Sequence, residues 1–355
     1  MDAVQHAAKG ALLCGGGLTL AQSLLAGRAK APSSLALSLS SFVGTFRLVE
    51  GLASTQDGLL GEHAASLGAS SGALVALSLL ESKRRGMVIA YAIVEAAVVL
   101  AKEHTKLADV KHIDVALGAL ACQRIIYLWI FGSEYYTKSQ LVTLDGLSNL
   151  PADVLRRMRL VLPHNATASR CDVFHKGYSC QEFHADLFQR SFLAAMKLYV
   201  PIYIISAVLP KYKRWISGPR PSIVALIAQY LRTCTSLTAS YSIPLGLSCA
   251  LPIKNNRLTV TIVGLMTVLS LLIEHEKRRV SVLKAIAVYP ISATARQLRD
   301  ALRLSPRATR LWQLLLFSAS MAVVFRRPEQ QNGRMMYLLY GHSVRHSEGR
   351  KKNSR

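Results

Sequence analysis

Ten apolar segments, separated by polar stretches, run along this chain of 355 residues. Most are close to the length of about 17–25 residues that an α-helix needs to cross a bilayer. Because several are short or carry charges, their number predicts roughly eight to ten membrane spans. The ten segments are Ala7–Gly27, Leu35–Ser54, His63–Leu80, Gly86–Ala101, Asp114–Phe131, Ser191–Leu209, Ser222–Tyr241, Leu258–Ile273, Val280–Leu298 and Thr309–Phe325.

The apolar segments are rich in Ala, Gly and Ser and carry isolated charges, which favours helices packed on one another. Composition agrees, since 51% of the residues are hydrophobic, only 18% are charged and the mean hydropathy is +0.28. A soluble globular domain would have about a quarter of its residues charged. We therefore predict an all-α fold, a polytopic membrane helical bundle with two similar halves joined by a polar linker.

One long polar connection divides the chain. The predicted organisation is a first membrane half at 1–132, a polar linker at 133–190, a second membrane half at 191–325 and a basic tail at 326–355. Within the linker, Asp153–Leu162 alternates basic and apolar residues at helical spacing. This pattern predicts an amphipathic basic helix at the membrane interface.

A short internal repeat links the two halves. Ser78–Arg85 ends in Lys-Arg-Arg, and Ser270–Arg279 ends in the same three residues after a similar apolar helix. The order of features agrees as well as the letters, which favours a duplication over chance similarity of two helix ends. Five spans in each half would make the halves inverted, as in many transporters.

The net charge of +23 and the pI of about 10.1 have three possible explanations. The basic residues bind nucleic acid, they bind an anionic membrane surface, or they orient the membrane spans through the positive-inside bias. The basic residues form short clusters beside the apolar segments, as juxtamembrane loops do. No basic face with interleaved aromatic residues is visible, so we expect the lipid bilayer and no nucleic acid as the partner.

Several charged residues fall inside predicted spans, and two interpretations of five of them stay open. One interpretation is that they line a polar path for a solute, and the other is that they pair and lock helices together. Charges at membrane depth are costly unless they do one or the other. Arg47 and Glu50 share one helix face through their i, i+3 spacing. The candidate path residues are Arg47, Glu50, Glu95, Arg124 and Arg232.

The linker carries a compact Cys/His cluster. Its candidate metal ligands are Cys171, His175, Cys180 and His184. Two cysteines and two histidines match a structural zinc site in number and kind, although the spacing is not a standard zinc pattern. A Cys171–Cys180 disulfide and a pair of free thiols are the alternatives. Familiar catalytic motifs are missing, so we expect no enzymatic activity.

The segment 171–220 resembles the transmembrane protein 135 family. The resemblance rests on Cys171, His175 and Ser179-Cys180, then on the helix Lys197-Leu-Tyr-Val-Pro-Ile-Tyr203, then on the basic Lys211-Tyr-Lys-Arg loop. The chain departs from the family in having Lys176 where a proline is usual, and in placing a membrane half before the cysteine module. The Gly-rich helices are more distantly similar to the mitochondrial inner-membrane preprotein-translocase channel family.

The first resemblance implies a multi-pass protein of peroxisomal or mitochondrial membranes that supports lipid handling or organelle membrane dynamics without catalysis. It also implies a lipid or sterol ligand, and homo-oligomers or membrane proteins as partners. The alternative function is a solute transporter or a protein-translocase-like channel, with the intramembrane charges lining its path.

Overall fold

Helices make up the secondary structure of the part of the chain that the structure describes. The structure is a computed structural model, and it describes residues 2–26, 31–56, 58–104, 110, 112–204 and 222–326. No strand occurs within these ranges, which confirms the prediction of an all-α chain. The predicted Lys211–Arg214 loop and the tail beyond Arg326 lie outside the described residues.

Each of the ten apolar segments coincides with helix in the described residues. In the first part of the chain the helices are α1 (Asp2–Ala26), α2 (Ser34–Ala53), α3 (Leu59–Glu62), α4 (Ala64–Leu79), α5 (Ser82–His104) and α6 (Ile113–Phe131). A 3₁₀ turn at Ser133–Tyr135 precedes α7 (Lys138–Ser148), α8 (Ala152–Val161) and α9 (Arg170–His175). The remaining helices are α10 (Cys180–Tyr203), α11 (Ile223–Ala250), α12 (Asn256–Met266), α13 (Leu269–Ile273), α14 (Glu276–Ala301) and α15 (Pro306–Val324).

Three helical stretches of the described residues are long and apolar enough to cross a membrane. They are Ser34–Ala53, Ile113–Phe131 and Asn256–Ile273, with mean hydropathies of 1.3, 1.5 and 1.7. Ala64–Leu79 is apolar but shorter. The other six predicted spans are helical in the described residues but do not combine sufficient length, high hydropathy and few charges, so the count of eight to ten spans stays a prediction.

The chain folds into two compact units that do not follow its linear order. One unit comprises Met1–Asp109 and Leu298–Arg355, and the other comprises Val110–Gln297. In the first unit, α2 packs between α1 and α4, and α15 packs against α4 and α5. In the second unit, α10 and α12 pack on α11, and α6 packs on α12. The fifth predicted span of the first half, α6, therefore packs with the helices of the second half. The fifth predicted span of the second half, α15, packs with the helices of the first half.

The core of the first unit is built from aromatic rings and small residues. The rings of Phe46 and Phe325 are fully buried, with their centroids 5.3 Å apart. Gly72 lets α4 approach α2 closely, since a Cβ at this position would lie 2.9 Å from the Phe42 carbonyl oxygen. This is the close helix packing that small residues permit.

The polar linker belongs to the core of the second unit. Its helix α8 buries Val154, Leu155 and Met158, and Met158 is completely inaccessible to solvent. These side chains join a cluster that includes Leu128 of α6 and Leu187 of α10. The apolar face of this amphipathic helix is therefore occupied by protein, and its position at the membrane interface stays a prediction.

Candidate metal centre

Local capping signals shape the turn between α9 and α10. Ser169 caps α9, since its hydroxyl accepts a hydrogen bond from the Asp172 N–H. Ser179 and Glu182 form a capping box at the start of α10. Between the two helices, Gly177 has a φ of +87°, a left-handed conformation that glycine adopts without strain. The end of α9 and the first turn of α10 are thereby brought together.

This turn brings three of the four predicted ligands together, and α11 supplies a fourth. The Sγ atoms of Cys171 and Cys180 are 3.7 Å apart, and His175 Nε2 lies 3.4 Å from Cys180 Sγ. Cys249, in the last turn of α11, places its Sγ atom 3.5 Å from the same Nε2. The four ligand atoms all lie within 4.8 Å of one another. Such a group could hold a metal ion.

His184 does not belong to this group of atoms. Its ring lies against the helix α11, where a Cβ at Gly246 would be 3.9 Å from the imidazole. Both ring nitrogens are buried without a hydrogen-bond partner among the described residues. Burial, with a smaller contribution from the neighbouring His175, lowers the pKa of His184. The ring thus lies beside the cluster, and Cys249 takes the position predicted for His184.

Cys249 is the residue that the sequence did not reveal. It is 69 positions beyond Cys180 and stands in an apolar helix, where a cysteine usually acts as a small buried hydrophobe. No local spacing connects it with the linker. Its place in the cluster depends on how the end of α11 docks onto α9.

Arg170 holds that docking in place. Its guanidinium donates hydrogen bonds to the carbonyl oxygens of Ser248 (2.5 Å), Leu251 (2.7 Å) and Ile253 (2.7 Å), and to Asn256 Oδ1 (3.0 Å). Carbonyl groups at a helix C-terminus lack partners within the helix, so an arginine can satisfy them. The acceptors surround Cys249 in the sequence, and the arginine that binds them immediately precedes Cys171.

Asn256 forms a second connection between the linker and the start of α12. Its backbone N–H donates to the Ala166 carbonyl at 2.8 Å, and its side-chain amide donates to the carbonyls of Asn165 and Ala168. The Asn256 side chain is fully buried. Two sets of hydrogen bonds, from Arg170 and from Asn256, therefore fix the linker residues just before Cys171 to the α11–α12 turn.

The groups around the cluster orient His175, which also borders an open cleft. His175 Nδ1 lies 3.0 Å from the Tyr178 carbonyl oxygen, and the imidazole stacks on Phe183 with a centroid distance of 4.9 Å. A cleft of about 860 Å³ borders the histidine and is lined by Tyr178, Glu182 and Arg190 among others. The histidine of the cluster is thus already oriented, and Cys180 is exposed to solvent.

The predicted path residues lie in both units. Arg47, Glu50 and Glu95 are half-buried in the first unit, and the Arg47 guanidinium donates to the His6 carbonyl oxygen at 3.1 Å. In the second unit, Arg124 donates to Thr294 and Gln297, and Arg232 donates to the Ile273 carbonyl oxygen. The three arginines thus bond to neighbouring helices.

Comparison with known proteins adds no relative. No protein-family model matches the chain, and no curated protein or solved structure is significantly similar to it. The resemblances stated from the sequence therefore stay predictions.

Proposed function

We propose that the chain is a non-enzymatic integral membrane protein that supports lipid handling or organelle membrane dynamics. The observation that carries the membrane part is the exposure of large apolar side chains on the three membrane-length helical stretches. Leu120 is 61% exposed on α6, and Leu52 is 56% exposed on α2. Exposed apolar stripes of this kind are unfavourable in water, and contact with lipid chains removes them from it.

The stretch Asn256–Ile273 illustrates the stripe most clearly. Leu258, Leu265, Leu269 and Leu272 are exposed and follow one another at intervals of seven, four and three residues. These intervals place them along one face of a helix. The opposite face is buried, with Val260 and Val263 in the protein interior.

A pair of substitutions on this face tests the proposal. Leu265→Lys with Leu272→Lys would expose lysines to the bilayer, at a cost of about 2.5–3.5 kcal/mol for the lysine near the middle of the stretch and less for the one near its end. We expect loss of the carbonate-resistant membrane fraction. The control is Val142→Lys on α7, which is 64% exposed but outside the apolar stretches. Equal membrane retention of the double variant and the parent would contradict a lipid-facing stripe.

The proposal includes two similar five-helix halves, supported by matched hydrogen bonds around the repeated Lys-Arg-Arg. Arg85 donates to the carbonyls of Leu80 (2.8 Å) and Ser78 (3.3 Å). Arg279 donates to the carbonyls five and seven residues before it in the same way, with both distances 3.2 Å. Each arginine caps the helix that precedes it, as expected for copies of one motif.

Further contacts match when the two halves are aligned on Arg85 and Arg279, which pairs Ala76 with Ser270 and Ser70 with Gly264. The Ser38 hydroxyl donates to the Ala76 carbonyl and the Ser236 hydroxyl to the Ser270 carbonyl, both at 2.7 Å. On α4, the Ser70 hydroxyl touches that of Ser318 on α15 at 2.6 Å. The matching position on α12 is Gly264, where a Cβ would lie 2.8 Å from the Cα atom of Gln123 on α6. These matches support two repeats that have exchanged their fifth helices, α6 and α15.

The organelle and the lipid role rest on the family resemblance at 171–220. Imaging of the tagged chain, together with protease accessibility of the 133–190 linker, tests compartment and sidedness at once. We expect colocalisation with peroxisomes or mitochondria, and a changed lipid composition of that organelle when the chain is deleted. A chain confined to other membranes, or a deletion without effect on organelle lipids or shape, would contradict the proposal.

A transporter or translocase-like channel is the second candidate, and the half-buried charges Arg47, Glu50 and Glu95 favour it, because charges in spans often line a path. The test is flux through reconstituted vesicles with Arg47→Leu and Glu50→Leu combined. A path lined by these residues requires a large loss of flux. Flux equal to that of the parent would remove this candidate.

A further inference from the structure

We propose that Cys171, His175, Cys180 and Cys249 bind one Zn²⁺ ion in a tetrahedral site that cross-links the linker to the end of α11. This site goes beyond the proposed membrane function and does not depend on it. Its ligand set also differs from the one that the sequence predicts, since Cys249 replaces His184. The argument rests on distances, on the chemistry of the donors and on the groups that orient them.

The distances fit a tetrahedral zinc ion. With Zn–S bonds of about 2.3 Å and Zn–N bonds of about 2.0–2.1 Å, two sulfur ligands lie about 3.8 Å apart, and a sulfur and a nitrogen lie about 3.5 Å apart. The observed separations are 3.7 Å between the Sγ atoms of Cys171 and Cys180, and 3.4 Å and 3.5 Å from His175 Nε2 to the Sγ atoms of Cys180 and Cys249. No ligand pair exceeds 4.8 Å, so closure onto an ion needs movements of about 1 Å or less.

The donor set selects zinc. Three thiolates and one imidazole form a Cys₃His set, which is a common structural zinc site, and soft sulfur ligands disfavour Mg²⁺ and Ca²⁺. On binding, each thiol releases its proton as its sulfur bonds to the metal, so three protons leave for one Zn²⁺. Four protein ligands fill the tetrahedron and leave no open position for a substrate. The site is therefore structural, in keeping with a chain without catalytic motifs.

The surroundings orient the ligands before an ion arrives. His175 Nδ1 faces the Tyr178 carbonyl oxygen at 3.0 Å. A hydrogen bond at this position puts the proton on Nδ1 and leaves the Nε2 lone pair free for the metal. His175 is only 6% exposed, so its ring has little freedom. Arg170 secures the other ligand by binding the carbonyls of Ser248 and Leu251 on either side of Cys249.

A Cys171–Cys180 disulfide explains less of this arrangement. A disulfide bond is about 2.05 Å long and involves only two of the four groups. It leaves unexplained why His175 Nε2 is aimed between Cys180 and Cys249. A zinc ion accounts for all four side chains and for the orientation of the imidazole.

The first experiment measures the zinc content of the full chain purified in detergent, for the parent, Cys249→Ser, His184→Gln and Cys122→Ser. Cys122 is a buried cysteine on α6 outside the cluster and serves as the matched control. We expect one zinc per chain in the parent, His184→Gln and Cys122→Ser. In Cys249→Ser we expect zinc affinity to fall by more than the roughly 10–100-fold that loss of an outer-shell partner costs. Equal zinc in Cys249→Ser and the parent would overturn the ligand set, as would its loss in His184→Gln alone.

A second measurement needs no variant and so survives misfolding of Cys249→Ser. The parent is alkylated with and without a zinc chelator, and the modified cysteines are mapped by mass spectrometry. Zinc should protect Cys171, Cys180 and Cys249 together, with the chelator increasing the labelling of all three. Protection of Cys171 and Cys180 alone, or their recovery as a disulfide in a parent without zinc, would refute the proposal.

Discussion

Replacement of Arg170 by leucine is predicted to destabilise the second unit and to weaken the metal site without removing a ligand. The half-buried guanidinium makes four hydrogen bonds to the α11–α12 turn, at 2.5–3.0 Å. A hydrogen bond to a charged group contributes about 1.5–3 kcal/mol, and bonds that share one side chain are not additive. Because three carbonyl groups would lose this partner at once, we expect a loss of about 3–5 kcal/mol in the free energy of unfolding.

The assay is thermal unfolding of the purified chain, followed by circular dichroism. For a unit of this size, 1 kcal/mol corresponds to roughly 2–4 °C, so Arg170→Leu should lower the melting temperature by roughly 6–20 °C. Arg170→Lys should recover part of the loss, since an ammonium group keeps the charge but cannot span four acceptors. Arg156→Leu is the matched control, because Arg156 is exposed on α8. An unchanged melting temperature of Arg170→Leu would refute the assignment of Arg170 as the clamp.

Zinc occupancy gives this prediction a second measurement. Arg170 positions Cys249 through the carbonyls next to it, so its loss should raise the zinc dissociation constant by roughly 10–100-fold, as for other outer-shell partners. A destabilised variant that still binds zinc with the parent affinity would separate the two roles. The clamp would then serve the fold alone.

Two further predictions concern the first unit. Gly72→Ala should destabilise this unit by about 1–3 kcal/mol, because the new Cβ would meet a backbone carbonyl oxygen of α2 at 2.9 Å. The control is Gly16→Ala, where nothing lies within 4 Å of the new Cβ, and it should be neutral or slightly stabilising in the same unfolding assay. Ser70→Cys combined with Ser318→Cys should form a disulfide under mild oxidation, since the two hydroxyl oxygens are 2.6 Å apart. Failure of that cross-link in a folded variant would contradict the packing of α15 on α4, and with it the exchange of the fifth helices.

Much of the local structure was predictable because its causes are local. Within the described ranges the ten apolar segments form helices, since hydrophobic periodicity and capping act over a few residues. The capping box of Ser179 and Glu182 stands in the sequence in its usual spacing. Cys171, His175 and Cys180 are also close in the chain, so a turn of the right kind brings them together. The sequence therefore suffices for the helices and for three of the four members of the cluster.

The groupings of distant elements were not predictable in this way. The linker helix α8 has an amphipathic pattern that suits a membrane surface, but Leu187 and Leu128 from distant helices cover its apolar face. The pattern specifies that one face must be buried and does not specify against what. The same limit applies to α6 and α15, whose apolar character is equal whichever unit they join.

The sequence by itself determined the helices of the described residues, a membrane-like composition, a repeated Lys-Arg-Arg helix boundary and a Cys/His-rich turn. Only the tertiary structure decided that Cys249, and not His184, completes the cluster. His184 follows Cys180 by one helical turn, which makes it the natural candidate by spacing, yet its ring lies against Gly246. Four ligands converge only when another helix end is held against the turn, and the Arg170 hydrogen bonds that hold it join residues about 80 positions apart.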